Sequence, residues 1–278
     1  MMVEGTHFRL SANWATPRDV GGRAVAAALS DLAAMGVPAG ELYVALGVPA
    51  ELGTSGAREL IAGVLEAADR AGASLAGGDI VRAQQLTVAV TCVGWADPQV
   101  PPVQRSGARP GDRVAVTGAL GGPAAAFALL ERGEDPGPLG ARMRDAHARL
   151  AAGAAAARAG ASAMIDVSDG IAIDAGHIAR ASGVELAIDI GLLPVLPGVE
   201  RAAARLGESA PALAAASGEE FELLLCVPAG RAGELAAAVQ ADGTPLTWIG
   251  EVHAGGGTVR LLDAGREAHA ARPWEHFA

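Results

Sequence analysis

Lysine does not occur in this sequence, and all 21 of its basic residues are arginine. The phosphate-binding loop GxxxxGK[ST], the strand lysine of protein kinases and the Schiff base of pyridoxal enzymes each need a lysine. None of these three mechanisms is open to this chain.

Aromatic residues, cysteines and long apolar runs are also scarce. Only 3% of the residues are aromatic although 51% are hydrophobic, so the core must be built mainly from Ala, Val, Leu and Ile, with 38 glycines allowing close packing. Cys92 and Cys226 lie in the apolar runs VAVTCVGW and FELLLCVP, which favours buried strand residues over reactive or paired thiols. Because no run reaches the ~18 residues of a membrane span and no signal peptide follows Met1, we expect a cytoplasmic protein.

Basic residues are fewer than acidic ones, 21 against 31, which gives a formal net charge of −10. The field of such a molecule repels nucleic acids and anionic membranes, so we expect neither as a partner. A phosphate ligand would need local help from cations. The length of 278 residues favours two modest domains.

Helix and strand signals alternate along the chain. Thr16 as N-cap, Pro17 at the first helical position and Gly36 past the end predict one helix. Helical spacing of apolar residues predicts a second helix near 55–71, broken by SLAGGD. Further helices are expected in PAAAFALLER, over 141–159, over 171–181 and in RAGELAAAVQA. Strands are expected in LTVAVTCVGW, RVAVTG, AMIDVSDG, ELAIDI, FELLLCVP, LTWIGEV and GTVRLLD.

The loop ERGEDPGPLG, rich in glycine, proline and acids, is the strongest candidate for a domain boundary. We therefore expect an N-terminal domain over 1–135 and a C-terminal α/β domain over 136–278. The predicted fold class is α/β (α+β), with two α/β domains and mixed sheets.

Four aspartates lie where predicted elements end: Asp31, Asp79, Asp166 and Asp169. A strand end and its turn, as in D-x-S-D, can aim two carboxylates and a hydroxyl at one hard cation, since magnesium requires oxygen ligands. Each has a simpler alternative: Ser168 or Asp169 could cap the next helix, Asp31 could lie on a solvated helix face, and Asp79 could be a turn residue.

Two glycine runs could bring backbone amides close to a phosphate. Gly77 and Gly78 form one, and TGALGG at 117–122 forms the other at a strand-to-helix turn. Arg105 could contact a phosphate or nucleotide, with an ordinary surface arginine as the alternative.

Three further residues are candidates for the functional site, and each could instead have a purely structural role. His7 could be a loop histidine, Trp274 a packed terminal anchor, and Glu219, beside Glu220, could mark the solvent edge of a buried strand. No Ser/His/Asp triad and no zinc-ligand spacing is present in the sequence.

Taken in order, VEGTHF, ALSDLAAMG, AGGDI, RSGARPGDRVAVTGALG, IDVSDG, SGEEFELLL and WEHF resemble the motif series of the thiamine-monophosphate kinase family. The resemblance spans Val3 to Phe277. It implies the two-domain ATP-using fold shared with aminoimidazole ribonucleotide synthetase, selenophosphate synthetase and the hydrogenase-maturation dehydratase. It also implies a homodimer formed through the N-terminal domain, which would bind ATP and metal.

The resemblance assigns roles to the candidate residues. The implied magnesium ligands are Asp31, Asp79, Asp166 and Asp169. The implied ATP contacts are Gly78, Asp79, Arg105 and Ser168. The implied contacts to thiamine monophosphate are His7, Glu219 and Trp274.

The sequence departs from the family pattern in three places. Family members have an additional segment of about 40 residues, ending in a Thr-Thr-Asp metal motif directly before the match to Met1. SGEEFEL replaces the commoner GGEDYEL, and RMRDAHARL lacks the prolines expected there.

The reaction that the resemblance implies is magnesium-dependent, direct in-line transfer of the ATP γ-phosphoryl group to thiamine monophosphate, giving thiamine diphosphate and ADP. No residue is expected to act as a general base. The alternatives are another ATP-using reaction of the same superfamily, or a catalytically incomplete homologue that binds nucleotide.

Overall fold

A computed structural model describes residues 1–11 and 14–268 of the chain. Its strands are β1 (Met2–Val3), β2 (Glu41–Val48), β3 (Ser74–Arg82), β4 (Thr87–Val93), β5 (Asp112–Thr117), β6 (Ala163–Asp166), β7 (Val184–Asp189), β8 (Leu223–Pro228), β9 (Leu246–Ala254), β10 (Thr258–Asp263) and β11 (Arg266–Glu267). Its α-helices are α1 (Pro17–Ala34), α2 (Gly53–Arg70), α3 (Gly122–Glu131), α4 (Pro138–Arg144), α5 (Leu150–Arg158), α6 (Ile171–Ser182), α7 (Val199–Leu206), α8 (Ala210–Ala216) and α9 (Ala232–Gln240).

The first sheet has four strands in the order β1-β4-β2-β3, with β2 antiparallel to β4 and parallel to β3. Alternate residues of β2 are buried, namely Leu42, Val44 and Leu46. They belong to one core cluster with Val25 of α1 and Leu60 of α2. Because strand side chains alternate between faces, the two helices cover only one face of this sheet.

The second sheet has seven strands in the order β11-β10-β7-β9-β5-β8-β6 and is mixed, since β10 runs parallel to β7 while the other neighbours are antiparallel. Strand β8, which lies between β5 and β6, is buried on both faces. Leu224 and Cys226 belong to one core cluster and Leu223 and Leu225 to another. Two mixed sheets with helices confirm the predicted fold class.

One strand was not predicted, and one helix prediction is wrong. The helix expected near 55–71 ends before SLAGGD, as predicted, since α2 stops at Arg70. SLAGGD itself lies inside β3, where β2 supplies the pairing partner that local propensity does not reveal. The single helix expected over 141–159 is two helices, α4 and α5, because residues 145–149 turn away and bring Arg149 to a buried carboxylate described below.

The predicted boundary at residue 135 stays a prediction. β5 and α3 lie before it in sequence, yet β5 pairs with β8 and β9 of the second sheet. These partners favour a division between β4 and β5.

Cys92 and Cys226 are unpaired, and burial raises the pKa of both thiols, that of Cys92 to about 12. Cys226 is fully buried, as predicted, whereas Cys92 is half-buried. Within the ranges given above, no helix is long and apolar enough to cross a membrane.

Helix α1 begins with the predicted cap. The Thr16 side chain accepts a hydrogen bond from the Asp19 backbone N–H, and the Asp19 carboxylate accepts one from the Thr16 backbone N–H at 2.8 Å. This reciprocal pair with Pro17 at the first turn fixes where α1 starts. Glycines then allow α1 to lie very close to α2, since a Cβ on Gly63 would overlap the Arg18 carbonyl oxygen.

Gly63→Ala should therefore lower the free energy of unfolding by about 2 kcal/mol, because the added methyl forces α1 and α2 apart. Gly233→Ala is the matched control, since Gly233 also lies in a helix but a Cβ there meets nothing within 4 Å. That substitution should be neutral or stabilise by up to ~1 kcal/mol. Denaturant unfolding of both variants checks the pair, and equal effects would show that the helices do not touch at Gly63.

Candidate functional site

Helix α1 reaches from the first sheet to the loops of the second. Arg23 and Ser30 are seven residues apart, which is about two helical turns and places them on one face. The Ser30 hydroxyl donates a hydrogen bond to Asp166 Oδ2 at 2.8 Å, and the Arg23 guanidinium donates to Glu219 Oε2. Two residues of one helix therefore meet two of the predicted site residues.

Asp166 is the last residue of β6 and is only 4% exposed. Burial raises the pKa of its carboxyl to about 6, and the nearby Asp31 carboxylate acts in the same direction. The Ser30 hydrogen bond and the charge of Arg105 oppose this rise in pKa. The charges of Asp31 and Arg105 therefore both act on Asp166, and a site shared by the three residues stays a prediction.

The turn after β6 is held by Asp174, which the sequence analysis missed. Asp174 is buried in α6, and its Oδ2 accepts hydrogen bonds from the backbone N–H groups of Ser168, Asp169 and Gly170 at 3.0, 3.1 and 3.1 Å. Burial raises the pKa of Asp174 to about 7, and these backbone bonds oppose the rise. The sequence signal that could have identified this role is an acidic residue, Asp174, about one helical turn after Asp169 and Gly170.

The alternative that Ser168 or Asp169 caps α6 is wrong. The N-cap of α6 is Gly170, which has no side chain to cap with, and the Asp174 carboxylate accepts from the backbone amides of the turn that leads into the helix. The side chains of Ser168 and Asp169 are therefore not used as the cap and are partly accessible.

The loop 217–222 packs directly on this acidic turn. The backbone N–H of Glu219 donates to the Ser168 carbonyl at 2.8 Å, and that of Phe221 donates to the Val167 carbonyl at 3.0 Å. Both Glu219 and Phe221 have φ of 54°, a left-handed conformation that non-glycine residues rarely adopt. Such outliers cluster at functional sites because the surrounding structure must hold them.

Two buried glutamates anchor the same loop to the turn after β5. Glu222 accepts hydrogen bonds from Thr117 Oγ1 at 2.7 Å and from Arg149 Nε at 2.7 Å and Nη2 at 2.5 Å. Glu220 is fully buried and its Oε1 accepts from the Gly121 backbone N–H at 2.6 Å. Glu219 and Glu220 were both predicted at the solvent edge of the strand. Glu219 is partly exposed, whereas Glu220 is buried.

Glu220 makes the stability of the chain depend on pH. Burial raises the pKa of its carboxyl from 4.5 to about 7, so its contribution is full below pH ~4.5 and is lost as pH rises through ~7. Between pH 5 and pH 8 the wild-type chain should lose about 2 kcal/mol more stability than Glu220→Gln, since one pKa unit is worth ~1.4 kcal/mol. Denaturant midpoints of both proteins across this range check it, and parallel pH profiles would contradict it.

The remaining predicted residues lie in the N-terminal part or outside the description. Asp79 is exposed on the edge strand β3, and its Oδ1 accepts a hydrogen bond from the Ile80 backbone N–H at 2.8 Å. Gly78 allows β3 to lie against β2, since a Cβ there would overlap the Val44 carbonyl oxygen. His7 Nδ1 accepts from the Val3 backbone N–H at 3.0 Å. Trp274 lies outside the described residues.

Within 1–11 and 14–268, no three His, Cys, Asp or Glu side chains are grouped closely enough to hold a metal ion. The chemistry of the Asp31 and Asp166 pair nevertheless fits a divalent cation. Removal from water and mutual repulsion both disfavour ionisation of Asp166, and a bound cation would favour it. The four-aspartate magnesium site stays a prediction.

Two family models match the chain. The AIR synthase related protein N-terminal domain matches residues 1–96, and the AIR synthase related protein C-terminal domain matches residues 109–262. Among curated proteins, the chain is 42% identical to thiamine-monophosphate kinase of Mycobacterium tuberculosis over 236 residues, which cover 83% of this chain and 70% of the relative.

Solved structures give the same result. The chain is similar to a crystal structure of thiamine-monophosphate kinase from Stenotrophomonas maltophilia, with a TM-score of 0.85 and 29% identity over 96% of this chain and 84% of the other. It is also similar to AaThiL complexed with AMPPCP and TMP, with a TM-score of 0.86 and 28% identity over 99% of this chain and 85% of the other.

Proposed function

Because the chain belongs to the thiamine-monophosphate kinase family of AIR synthase related proteins, we propose that it transfers the γ-phosphoryl group of ATP to thiamine monophosphate. The products are thiamine diphosphate and ADP. The observation that carries the proposal is the similarity, over 99% of the chain, to a structure holding an ATP analogue and TMP together.

Direct in-line transfer suits the site, since the acceptor phosphate is already ionised at neutral pH and no general base is needed. The obstacle is repulsion, because two unit charges ~4 Å apart cost ~4 kcal/mol at an effective dielectric constant of ~20. Magnesium ions, when bound, supply the positive charge that offsets this repulsion. We assign them to Asp31, Asp79, Asp166 and Asp169.

The ATP contacts we propose come from both parts of the chain. The positive charge of Arg105 acts on Asp166, and Ser168 lies in the turn whose amides donate to Asp174. Gly78 and Asp79 would contribute from β3. His7, Glu219 and Trp274 would contact thiamine monophosphate.

We also propose a homodimer formed through the first sheet. Leu75, Ile80 and Val81 of the edge strand β3 are exposed, with 36%, 58% and 54% of their surface accessible. An exposed apolar edge strand invites pairing with another chain, and a second copy would cover it. Sedimentation of the purified chain tests this: a monomer at micromolar concentration would contradict it.

A coupled assay of ADP release, with mass spectrometry of the products, tests the proposed activity. ATP, magnesium and thiamine monophosphate should give ADP and thiamine diphosphate in equal amounts, while unphosphorylated thiamine should give neither. Nucleotide binding without ADP release would indicate a catalytically incomplete homologue. ADP release without thiamine diphosphate would indicate another ATP-using reaction of the superfamily.

A further inference from the structure

Arg23 is a charged residue in the interior of the molecule. Its side chain is 3% exposed, whereas that of Arg18, five residues earlier on α1, is 43% exposed. Burial of an unpaired guanidinium is very unfavourable, so an interior arginine needs a carboxylate partner. Arg23 finds this partner in Glu219, 196 residues away in sequence.

The pairing of Arg23 with Glu219 is incomplete on the arginine side. Nη2 donates to Glu219 Oε2, while the buried Nε has no hydrogen-bond partner in the described part of the chain. Such an unsatisfied donor is costly and is uncommon where an arginine serves packing alone. Local stability alone therefore does not explain this arrangement.

Glu219 is held in place from its backbone as well as from its side chain. Its φ is 54° and its N–H donates to the Ser168 carbonyl, so its main chain is fixed against the acidic turn. The preceding Gly218 lies so close to the Ser168 carbonyl that a Cβ would be 2.6 Å from that oxygen. The backbone that carries Glu219 is therefore packed directly against the turn that carries Ser168.

Arg23 and Ser30 make matching contacts from one helix face. Ser30 bonds the Asp166 carboxylate before the acidic turn, and Arg23 bonds the Glu219 carboxylate on the loop that packs against that turn. Between them Ala26 of α1 lies in one cluster with Phe221, the second left-handed residue of the loop. Helix α1 thus contacts the 217–222 loop and the acidic turn at three successive points.

We propose that Arg23 is a positioning residue for the acceptor site. Arg23 holds the Glu219 carboxylate and thereby keeps the backbone of the 217–222 loop in place, including its left-handed residues Glu219 and Phe221. In this position Glu219 faces the thiamine moiety of the acceptor. This inference rests on the proposed function for the identity of the acceptor. Its structural part, the ordering of the loop by Arg23, does not depend on that function.

Four variants test the proposal by steady-state kinetics: Arg23→Met, Arg23→Lys, Glu219→Gln and the double variant Arg23→Met/Glu219→Gln. Loss of the charge-assisted bond should raise KM for thiamine monophosphate about tenfold in Arg23→Met, with KM for ATP changed less than about twofold. Arg23→Lys keeps a cationic donor and should restore KM to within about threefold of wild type. The double variant should resemble Glu219→Gln, because the two residues act as one unit.

Arg18→Met is the matched control, since it removes an α1 arginine whose partners Glu59 and Glu66 lie on the exposed side of α2. Its KM values should equal those of wild type. Equal rises of both KM values in Arg23→Met, no rescue by lysine, or additive effects in the double variant would each overturn the positioning role.

Hydrogen–deuterium exchange without substrates separates this inference from the proposed function. Peptides covering 217–222 and 167–170 should exchange faster in Arg23→Met than in wild type and Arg18→Met, while peptides of β8 and α9 stay unchanged. This result holds even for a chain that makes no thiamine diphosphate. If Arg23→Met does not fold, Glu219→Gln carries the same comparison against wild type and Arg23→Lys, and unchanged exchange of the loop in Glu219→Gln would reject the proposal.

Discussion

Asp166→Asn is expected to reduce kcat for thiamine diphosphate formation about 10³-fold or more, since it removes a charge at the proposed cation site. The substitution is nearly isosteric, and the amide oxygen can still accept the hydrogen bond from Ser30. The lost property is therefore the negative charge rather than the shape of the turn. Assays at saturating magnesium and ATP measure the effect.

The thermal stability of Asp166→Asn is the control that separates a loss of activity from a loss of folding. Burial raises the pKa of Asp166 to about 6, so its ionised form is unfavourable in the folded, metal-free chain. Asp166→Asn should consequently unfold at or above the wild-type temperature at pH 8 in the presence of EDTA. Asp69→Asn, on the exposed surface of α2, should leave activity unchanged. Near-wild-type turnover of Asp166→Asn would remove Asp166 from the site.

Arg149→Met should lower the free energy of unfolding by about 3 kcal/mol, because it leaves the Glu222 carboxylate buried with too little compensation. Glu222 is 1% exposed, and Arg149 donates two hydrogen bonds to it. Arg142, at 3.4 Å, is the only other arginine within ion-pair distance in the described part of the chain. Chemical denaturation at pH 7.5 measures the loss.

Arg231→Met is the comparison for Arg149→Met. Arg231 pairs with Glu234 at 3.3 Å, but both side chains are about half exposed or more, at 46% and 64%. Exposed ion pairs contribute ~0–1 kcal/mol, so this variant should lose less than 1 kcal/mol. Similar losses in both variants would mean that Glu222 is hydrated in solution rather than buried.

Local signals in the sequence were enough to predict helix α1. Thr16 as N-cap and Pro17 at the first helical position are adjacent in sequence, and α1 begins where they predict. The ordered motif series likewise predicted the fold and the family, which the family models confirm. Features that are encoded within one element or one motif are therefore accessible from sequence.

Contacts between distant residues were not accessible in this way. Arg23 meets Glu219 across 196 residues of sequence and Arg149 meets Glu222 across 73, so neither contact follows from the periodicity of one helix or strand. β3 was missed because its glycines are held by pairing with β2 rather than by propensity. Asp174 was missed because helix spacing alone does not show which backbone amides its carboxylate accepts.

Anomalous scattering from crystals soaked with Mn²⁺ and a non-hydrolysable ATP analogue tests the central claim most directly. The claim is that aspartates from both halves of the chain bind divalent cations beside the nucleotide phosphates. We predict manganese directly coordinated by Asp166 and by at least one of Asp31, Asp79 and Asp169. Nucleotide bound in the crystal with manganese away from all four carboxylates would contradict it.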